Sequence, residues 1–466
     1  MEYKNYVNGE WIETENKLDI HSIIDNSILG TVNLASKEQV DEAFYGARKV
    51  QKDWKDISIS KKSIIFSRVC EILECKKEKL INLLVSEIGK DFASAQSEIN
   101  RSIEFINFTI KEAGSLTGEV YMGGNYSDTS NNKLAMSYRE PIGVVLAISP
   151  FNYPINLAIS KIVPALIMGN TVVFKPATRG CIAGIELAKI FEEAGLPKGV
   201  FSVLVCRGSE IGDYIVTHKE VDLINFTGST QIGDKIAKIT GRVPLIMELG
   251  GKDSAIVLED ADLDKAAKCI VNGAFSYSGQ RCTAIKRVIV INKIADELIR
   301  LLISYISNLD DSTICPLIDN KSADYIEELI NESKKEGATL LVGGIRKGNL
   351  IKVTLFDNVT RDMRLAWEEP FGPILPIIRV NSIEEAVSLS NESEYGLQAS
   401  IFTTDINNAF NIASKLEVGT VQINNKTERG PDNFPFLGVK ASGTGVQGIK
   451  ESLLSMSRPK VVVINL

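Results

Sequence analysis

An α/β protein with two doubly wound units is the fold the sequence predicts, on three observations. Short β-branched runs alternate with helical stretches from Pro141 onward, and a second alternating series follows Gly251. The 466 residues are also about three times a usual domain length of roughly 150. Strands separated by helices need right-handed crossovers, and such crossovers generate parallel sheets.

In chain order, the segment 36–113 reads as helices. Ser36 with Gln39 forms a capping box, and Ile64, Val69, Ile72, Leu73 and Leu80 recur at helical spacing. The first strand series is expected at 142–148, 171–174, 200–205, 221–226 and 245–247. The second is expected at 255–258, 288–291, 374–379, 400–403 and 420–424. Segments 118–139 and 460–466 fit neither series and read as an extension used in assembly.

A net charge of -7 without any Lys/Arg-rich run argues against nucleic acid, whose phosphates demand a concentrated basic face. The opening MEYKNYVNGEW has no basic segment followed by an apolar stretch, and runs such as 142–148 fall far short of the ~20 residues that cross a bilayer. A cytoplasmic protein with no membrane partner is therefore expected. Seven cysteines without a Cys-x-x-Cys pair read as reduced thiols, and only two histidines, His21 and His218, speak against a zinc site or a histidine-based triad. No metal is expected.

Four segments carry chemistry. Asn225 to Gly233 runs from strand through Gly228 and Ser229 into a helix, a turn that aims backbone N–H groups at a phosphate but often occurs without a ligand. Lys175-Pro176-Ala177-Thr178 follows another strand at the same sheet edge; taken singly, Lys175 reads as a solvated strand-end lysine. In Tyr277-Ser278-Gly279-Gln280-Arg281-Cys282-Thr283, one cysteine sits among small polar residues, whereas the other six keep apolar, helical or pre-proline company. Cys282 is the candidate nucleophile, with Arg281 beside it to favour thiolate. Met247-Glu248-Leu249-Gly250-Gly251 offers Glu248 as a general base, against the plain alternative of a solvated loop glutamate. Asn152, in Pro150-Phe151-Asn152-Tyr153-Pro154, offers an amide to a developing oxyanion or, equally well locally, a helix cap.

Together these segments resemble the aldehyde dehydrogenase superfamily along essentially the whole chain. Residues 278–288 (SGQRCTAIKRV), 366–373 (AWEEPFGP) and 423–438 (INNKTERGPDNFPFLG) resemble the branch that oxidises glyceraldehyde 3-phosphate to 3-phosphoglycerate without taking up phosphate. The resemblance implies Cys282 as nucleophile, Glu248 as base, and Asn152 with the Cys282 N–H as oxyanion hole. Around the cofactor it implies Lys175, Thr178, Asp213, Gly228, Ser229, Gly233, Leu249, Glu369 and Phe371, with NADP preferred and NAD the weaker alternative. Around the substrate phosphate it implies Arg101, Arg281 and Arg429, with Tyr153 and Thr283 lining the pocket. It further implies a Rossmann-like cofactor domain (1–117 and 140–250), an α/β catalytic domain (251–440) and a small β extension (118–139 and 441–466) that bridges subunits of a homotetramer.

One departure is a shortened stretch at 308–313, away from every matched residue. The competing readings are a sibling enzyme acting on lactaldehyde or a semialdehyde, and a catalytically silent binding or structural member of the fold, which the intact Cys282, Glu248 and Asn152 oppose. A coenzyme-A-acylating enzyme would need no water-activating base. Replacing Arg429 with leucine is expected to harm use of the phosphorylated aldehyde and spare glyceraldehyde.

Overall fold

The computed structural model describes residues 1–310 and 313–466. Within the shortened 308–313 stretch, Asp311 and Ser312 lie outside the described residues. The helical segment resolves into Lys37–Asp56, Ile59–Cys75, Lys77–Ile88 and Phe92–Ser115. The reciprocal Ser36–Gln39 capping box opens the first of these.

The first large sheet has eight strands, in spatial order Gly443–Thr444, Leu245–Glu248, Leu223–Thr227, Val144–Ile148, Thr171–Lys175, Phe201–Val203, Asn5–Val7 and Glu10–Ile12. The run from Leu245–Glu248 to Phe201–Val203 is parallel, and antiparallel strands cover both edges. Every residue of Val144–Ile148 is buried, as befits a strand with helices on both faces. The edge strands at Asn5–Val7 and Glu10–Ile12 are three residues each, too short to show a periodicity in the sequence.

The second sheet has seven strands, in order Thr339–Val342, Thr354–Asp357, Ile374–Val380, Arg287–Ile291, Ser254–Val257, Gln398–Phe402 and Thr420–Ile423. It is parallel except at Thr339–Val342, which pairs antiparallel; neither this strand nor Thr354–Asp357 was anticipated. A third sheet pairs Ser457–Asn465 with Lys133–Pro141 over nine residues and adds Glu119–Met122, all antiparallel. Residues 441–456, grouped with this extension in the sequence reading, divide differently. Gly443–Thr444 completes the first sheet, and the Ile449–Ser455 helix packs on the Phe92–Ser115 and Asn156–Ile167 helices.

The topology sets the site. Ile148, Lys175, Thr227 and Glu248 end strands of the first sheet, while Cys282 and Glu369 shortly precede the Arg287–Ile291 and Ile374–Val380 strands of the second. The carboxyl edge of one parallel sheet thus faces the amino edge of the other, and ligands of open α/β sheets gather at such carboxyl edges. No described helix is long and apolar enough to cross a membrane.

Candidate active site

Cys282 stands at the end of an unusual turn. After the Leu263–Phe275 helix the backbone takes three left-handed residues in succession, Tyr277 (φ 51°), Ser278 (φ 50°) and Gly279 (φ 71°). Two of these carry side chains that resist this conformation, so the surroundings must hold them. Tyr277 Oη donates to Ile88 O at 2.7 Å, and Ser278 Oγ donates to Cys315 O and accepts from Cys315 N, both at 2.8 Å. Only glycine fits at 279, where a Cβ would lie 2.4 Å from Gly372 O.

Glu248 ends its strand beside Thr227, its register partner in the parallel ladder. Its Oε1 accepts from Cys282 Sγ at 3.4 Å. Its Oε2 accepts from Arg429 Nη1 at 2.9 Å, Gln447 Nε2 at 3.1 Å and Thr227 Oγ1 at 3.4 Å. Burial raises the pKa of this carboxylate, but the cations Arg429 and Lys161 outweigh it and hold Glu248 below the ordinary glutamate value. The Cys282 thiol is pushed well up, by burial first and by the charge of Glu248 second, with Lys286 opposing. The sulfur therefore rests as a thiol donating to a charged carboxylate.

Asn152 is buried, and its Nδ2 donates to Gln280 O at 2.9 Å, inside the nucleophile's loop. It is not a helix cap: the Asn156–Ile167 helix starts four residues later with no side-chain cap.

A cavity of about 520 Å³ runs from Cys282 and Asn152 along the carboxyl edge of the first sheet, past Phe151, Lys175, Gly228, Ser229, Leu249, Glu369 and Phe371. Ser229 precedes the Thr230–Ile239 helix without a side-chain cap bond, which leaves the helix N-terminus open to an anion. Gly233 lets this helix press on Leu249, whose Cδ2 would lie 2.5 Å from a Cβ there. Phe371 (φ 48°) stacks edge-on against Phe151 at 5.9 Å. Thr178, half-buried, lies outside the cavity wall. Asp213 is exposed and paired with Lys235 at 2.5 Å on the neighbouring helix.

The expected substrate residues divide. Arg101 forks onto Asp432, with Nε and Nη2 each 2.7 Å from a carboxylate oxygen. Arg429 Nε lies 3.5 Å from the same carboxylate, and its Nη2 donates to Gln447 Oε1 at 3.0 Å. Tyr153 lies near Arg101, its ring under the buried Lys90 ammonium at 3.6 Å. Arg281 does not join them. Its Nη2 donates to the main-chain oxygen of Gly273, and its Nε has no partner among the described residues. Thr283 is buried, its carbonyl accepting from Thr427 Oγ1 at 2.9 Å. This bond, with those between Gln398 and the main chain of Glu428, draws the loop bearing Arg429 back towards the nucleophile.

Sequence reasoning missed Lys161, Gln447, Asp432 and Lys286. Lys161 is fully buried, donates to Thr227 Oγ1 at 2.6 Å, and has its pKa lowered to about 8 by burial. Its signal was available: it is the single charged residue of the Asn156–Ile167 helix, all of whose side chains are buried. Asp432 and Gln447 sit in loops whose polarity is unremarkable until the fold closes.

The model of the aldehyde dehydrogenase family matches residues 11–462. An NADP-dependent glyceraldehyde-3-phosphate dehydrogenase of Streptococcus equinus is 53% identical over 100% of this chain and 99% of its own length; that of Pisum sativum is 44% identical over 100% and 95%. Among solved structures, the NADP-dependent glyceraldehyde-3-phosphate dehydrogenase from Bacillus halodurans C-125, complexed with NADP, superposes with a TM-score of 0.98 at 51% identity, all of both chains covered. With fold and full-length similarity in agreement, the chain belongs to the aldehyde dehydrogenase family.

Proposed function

We propose that the chain oxidises glyceraldehyde 3-phosphate to 3-phosphoglycerate with NADP and without inorganic phosphate. The observation that carries this reading is the convergence of Cys282 and Asn152 in the cavity wall with Glu248 bonded to the sulfur, Arg429 bonded to Glu248, and Arg101 joined to Arg429 through Asp432.

The cleft fits a dinucleotide. Gly228 and Ser229 open it at a helix N-terminus, Lys175 lines it, and Gly250 lies so close to Glu369 that a Cβ would meet Oε2 at 2.2 Å. Lys175, Gly228 and Ser229 would hold the phosphates and adenosine ribose, Glu369 the nicotinamide ribose, and Leu249 and Phe371 the walls. The neutral Thr178 next to Lys175 suits a 2'-phosphate, which a glutamate there would repel. When bound, NADP supplies the hydride acceptor.

The protein's own groups do the rest. Cys282 Sγ, whose proton has a recipient in Glu248 Oε1 at 3.4 Å, attacks the aldehyde carbon. The resulting oxyanion takes the Asn152 amide and the Cys282 N–H; one such donor is typically worth ~100- to 1,000-fold in rate. Oxidation leaves a thioester on Cys282. Glu248 passes the Cys282 proton to solvent and then removes a proton from water; the water oxygen adds to the acyl carbon, the C–S bond breaks, and the departing sulfur takes the proton back from Glu248 as the acid is released. Arg101 and Arg429 bind the substrate phosphate, each exchanging a carboxylate partner for it.

The exposed side chains Val120, Met122, Tyr138, Val461, Val463 and Ile464 on the third sheet support its use as an assembly surface in a homotetramer. Seven free thiols accord with a cytoplasmic setting. The test is a steady-state assay of glyceraldehyde 3-phosphate without phosphate: reduction of NADP faster than NAD is expected, and no aldehyde-dependent absorbance at 340 nm would refute the reading.

A further inference from the structure

Lys286 lies four residues past the nucleophile, at the mouth of the Arg287–Ile291 strand, and is 2% exposed. Its ammonium donates to the main-chain carbonyl of Cys282 itself and lies 3.1 Å from Glu369 Oε1. That oxygen also accepts from Gly251 N at 3.1 Å. The main chain of Lys286 is pinned as well, its N–H donating to Asp253 O at 2.9 Å. A single cation therefore bridges the loop of the reacting sulfur and a carboxylate in the cleft.

We infer that Lys286 is a positioning residue for both halves of the site, tying the nucleophile's main chain to the carboxylate assigned above to the nicotinamide ribose. The inference rests on the proposed function. Packing alone does not call for an ammonium here, because a buried ion pair is often replaced by apolar side chains with little loss of stability. What an apolar side chain cannot do is orient a carbonyl and a carboxylate at once. The charged groups facing Cys282 are Glu248, Asp253 and Glu369, with Lys161 beyond Glu248; Lys286 opposes the three acids. Lys252 and Arg287 are its cationic neighbours, and the Lys252 ammonium is already committed to Glu368 O at 2.6 Å. Without Lys286 the sulfur faces more uncompensated negative charge, and Glu369 keeps, among the described residues, only its main-chain donor Gly251.

The test uses full-length Lys286→Met and Lys286→Arg. Alkylation of Cys282 by iodoacetamide is followed against pH by mass spectrometry of its peptide, which separates it from the exposed Cys75, and NADP affinity is followed by fluorescence titration. In Lys286→Met the alkylation profile moves to higher pH and the Kd for NADP rises about tenfold, the loss of one hydrogen bond to a charged group. Lys286→Arg restores most of both. A Lys286→Met protein with the wild-type alkylation profile and NADP affinity overturns the inference. So does equal damage in both variants accompanied by a lower Tm, which would make the lysine a structural one. If the wild type binds NADP but oxidises no aldehyde, the proposed function fails while the alkylation profile still reads the Lys286–Cys282 tie.

Discussion

Around the nucleophile, one short stretch of chain, Tyr277 to Cys282, is held in a left-handed turn by main-chain partners at Ile88 and Cys315. At the arginine end, the groups come from residues 101, 429 and 432, and the cations are held by carboxylates of the protein itself. The first region is preorganised by backbone, so its atoms have little to do but react. The second is preorganised by charge, so under the proposed function a phosphate dianion would have to displace Asp432 and Glu248 from the arginines. Buried charges persist only when paired, and the internal acids supply that pairing before substrate arrives. Arg429 belongs to both regions at once, touching the base and the phosphate-side carboxylate.

The sharpest way to break this contrast is at the sulfur. Cys282→Ser is expected to abolish turnover, while Glu248→Ala gives a single burst of reduced cofactor, slowed because the Cys282 proton has lost its recipient, and then stalls as thioester; stopped-flow absorbance at 340 nm checks both. Steady turnover in Cys282→Ser near the wild-type rate would end the mechanism.

The arginines come next. Arg101→Leu should lower kcat/KM for the phosphorylated aldehyde by ~10- to 100-fold and leave unphosphorylated glyceraldehyde nearly unchanged, since a hydrogen bond to a charged group contributes about 1.5 to 3 kcal/mol. Arg429→Leu should harm both substrates, because its Nη1 also holds Glu248 at 2.9 Å. That outcome differs from the one expected from sequence, where Arg429 read as a phosphate ligand alone. Equal behaviour of the two variants would erase the distinction between the regions.

Cofactor choice offers a smaller effect. Thr178→Glu should move preference towards NAD by about an order of magnitude, comparable to one lost charged hydrogen bond, in the ratio of kcat/KM for the two cofactors. An unchanged ratio would remove Thr178 from cofactor recognition, in keeping with its place outside the cavity wall.

The smallest effect concerns pH. Arg429 and Lys161 lower the pKa of Glu248 against the pull of burial, so Lys161→Met raises it. The base is then ionised only at higher pH, and the acid limb of thioester hydrolysis, read from single-turnover rates, shifts upward. Stability should respond with the opposite residue's sign. The Lys161 pKa is depressed from 10.5 to about 8 in the folded chain, so the wild type gains stability between about pH 8 and 10.5, where only the unfolded chain holds that proton, and the variant loses this slope.

Several features were legible before folding because they are local. The β-branched runs of both sheets, the Ser36–Gln39 cap and the cysteine among small polar residues depend on dihedral preference and on the periodicity of neighbours. Edge strands of three residues or fewer left too little pattern, as at Asn5–Val7 and Gly443–Thr444. Lys161 was readable as a lone charge in an apolar helix, whereas Asp432 and Lys286 look like ordinary loop and strand-end residues.

The sequence by itself determined that parallel sheets would form and where most of their strands would begin and end to within a few residues, Thr354–Asp357 being an exception, and it singled out Cys282 and Glu248 as candidates for the chemistry. Only the tertiary structure decided which cations meet which acids. It turned Arg281 onto Gly273, joined Arg101 and Arg429 through Asp432, and set Lys286 between Cys282 and Glu369. Local sequence encodes backbone preference and the face a side chain takes. Contacts such as Arg101 to Asp432, 331 residues apart, exist only after the chain has closed its long loops and buried its helices.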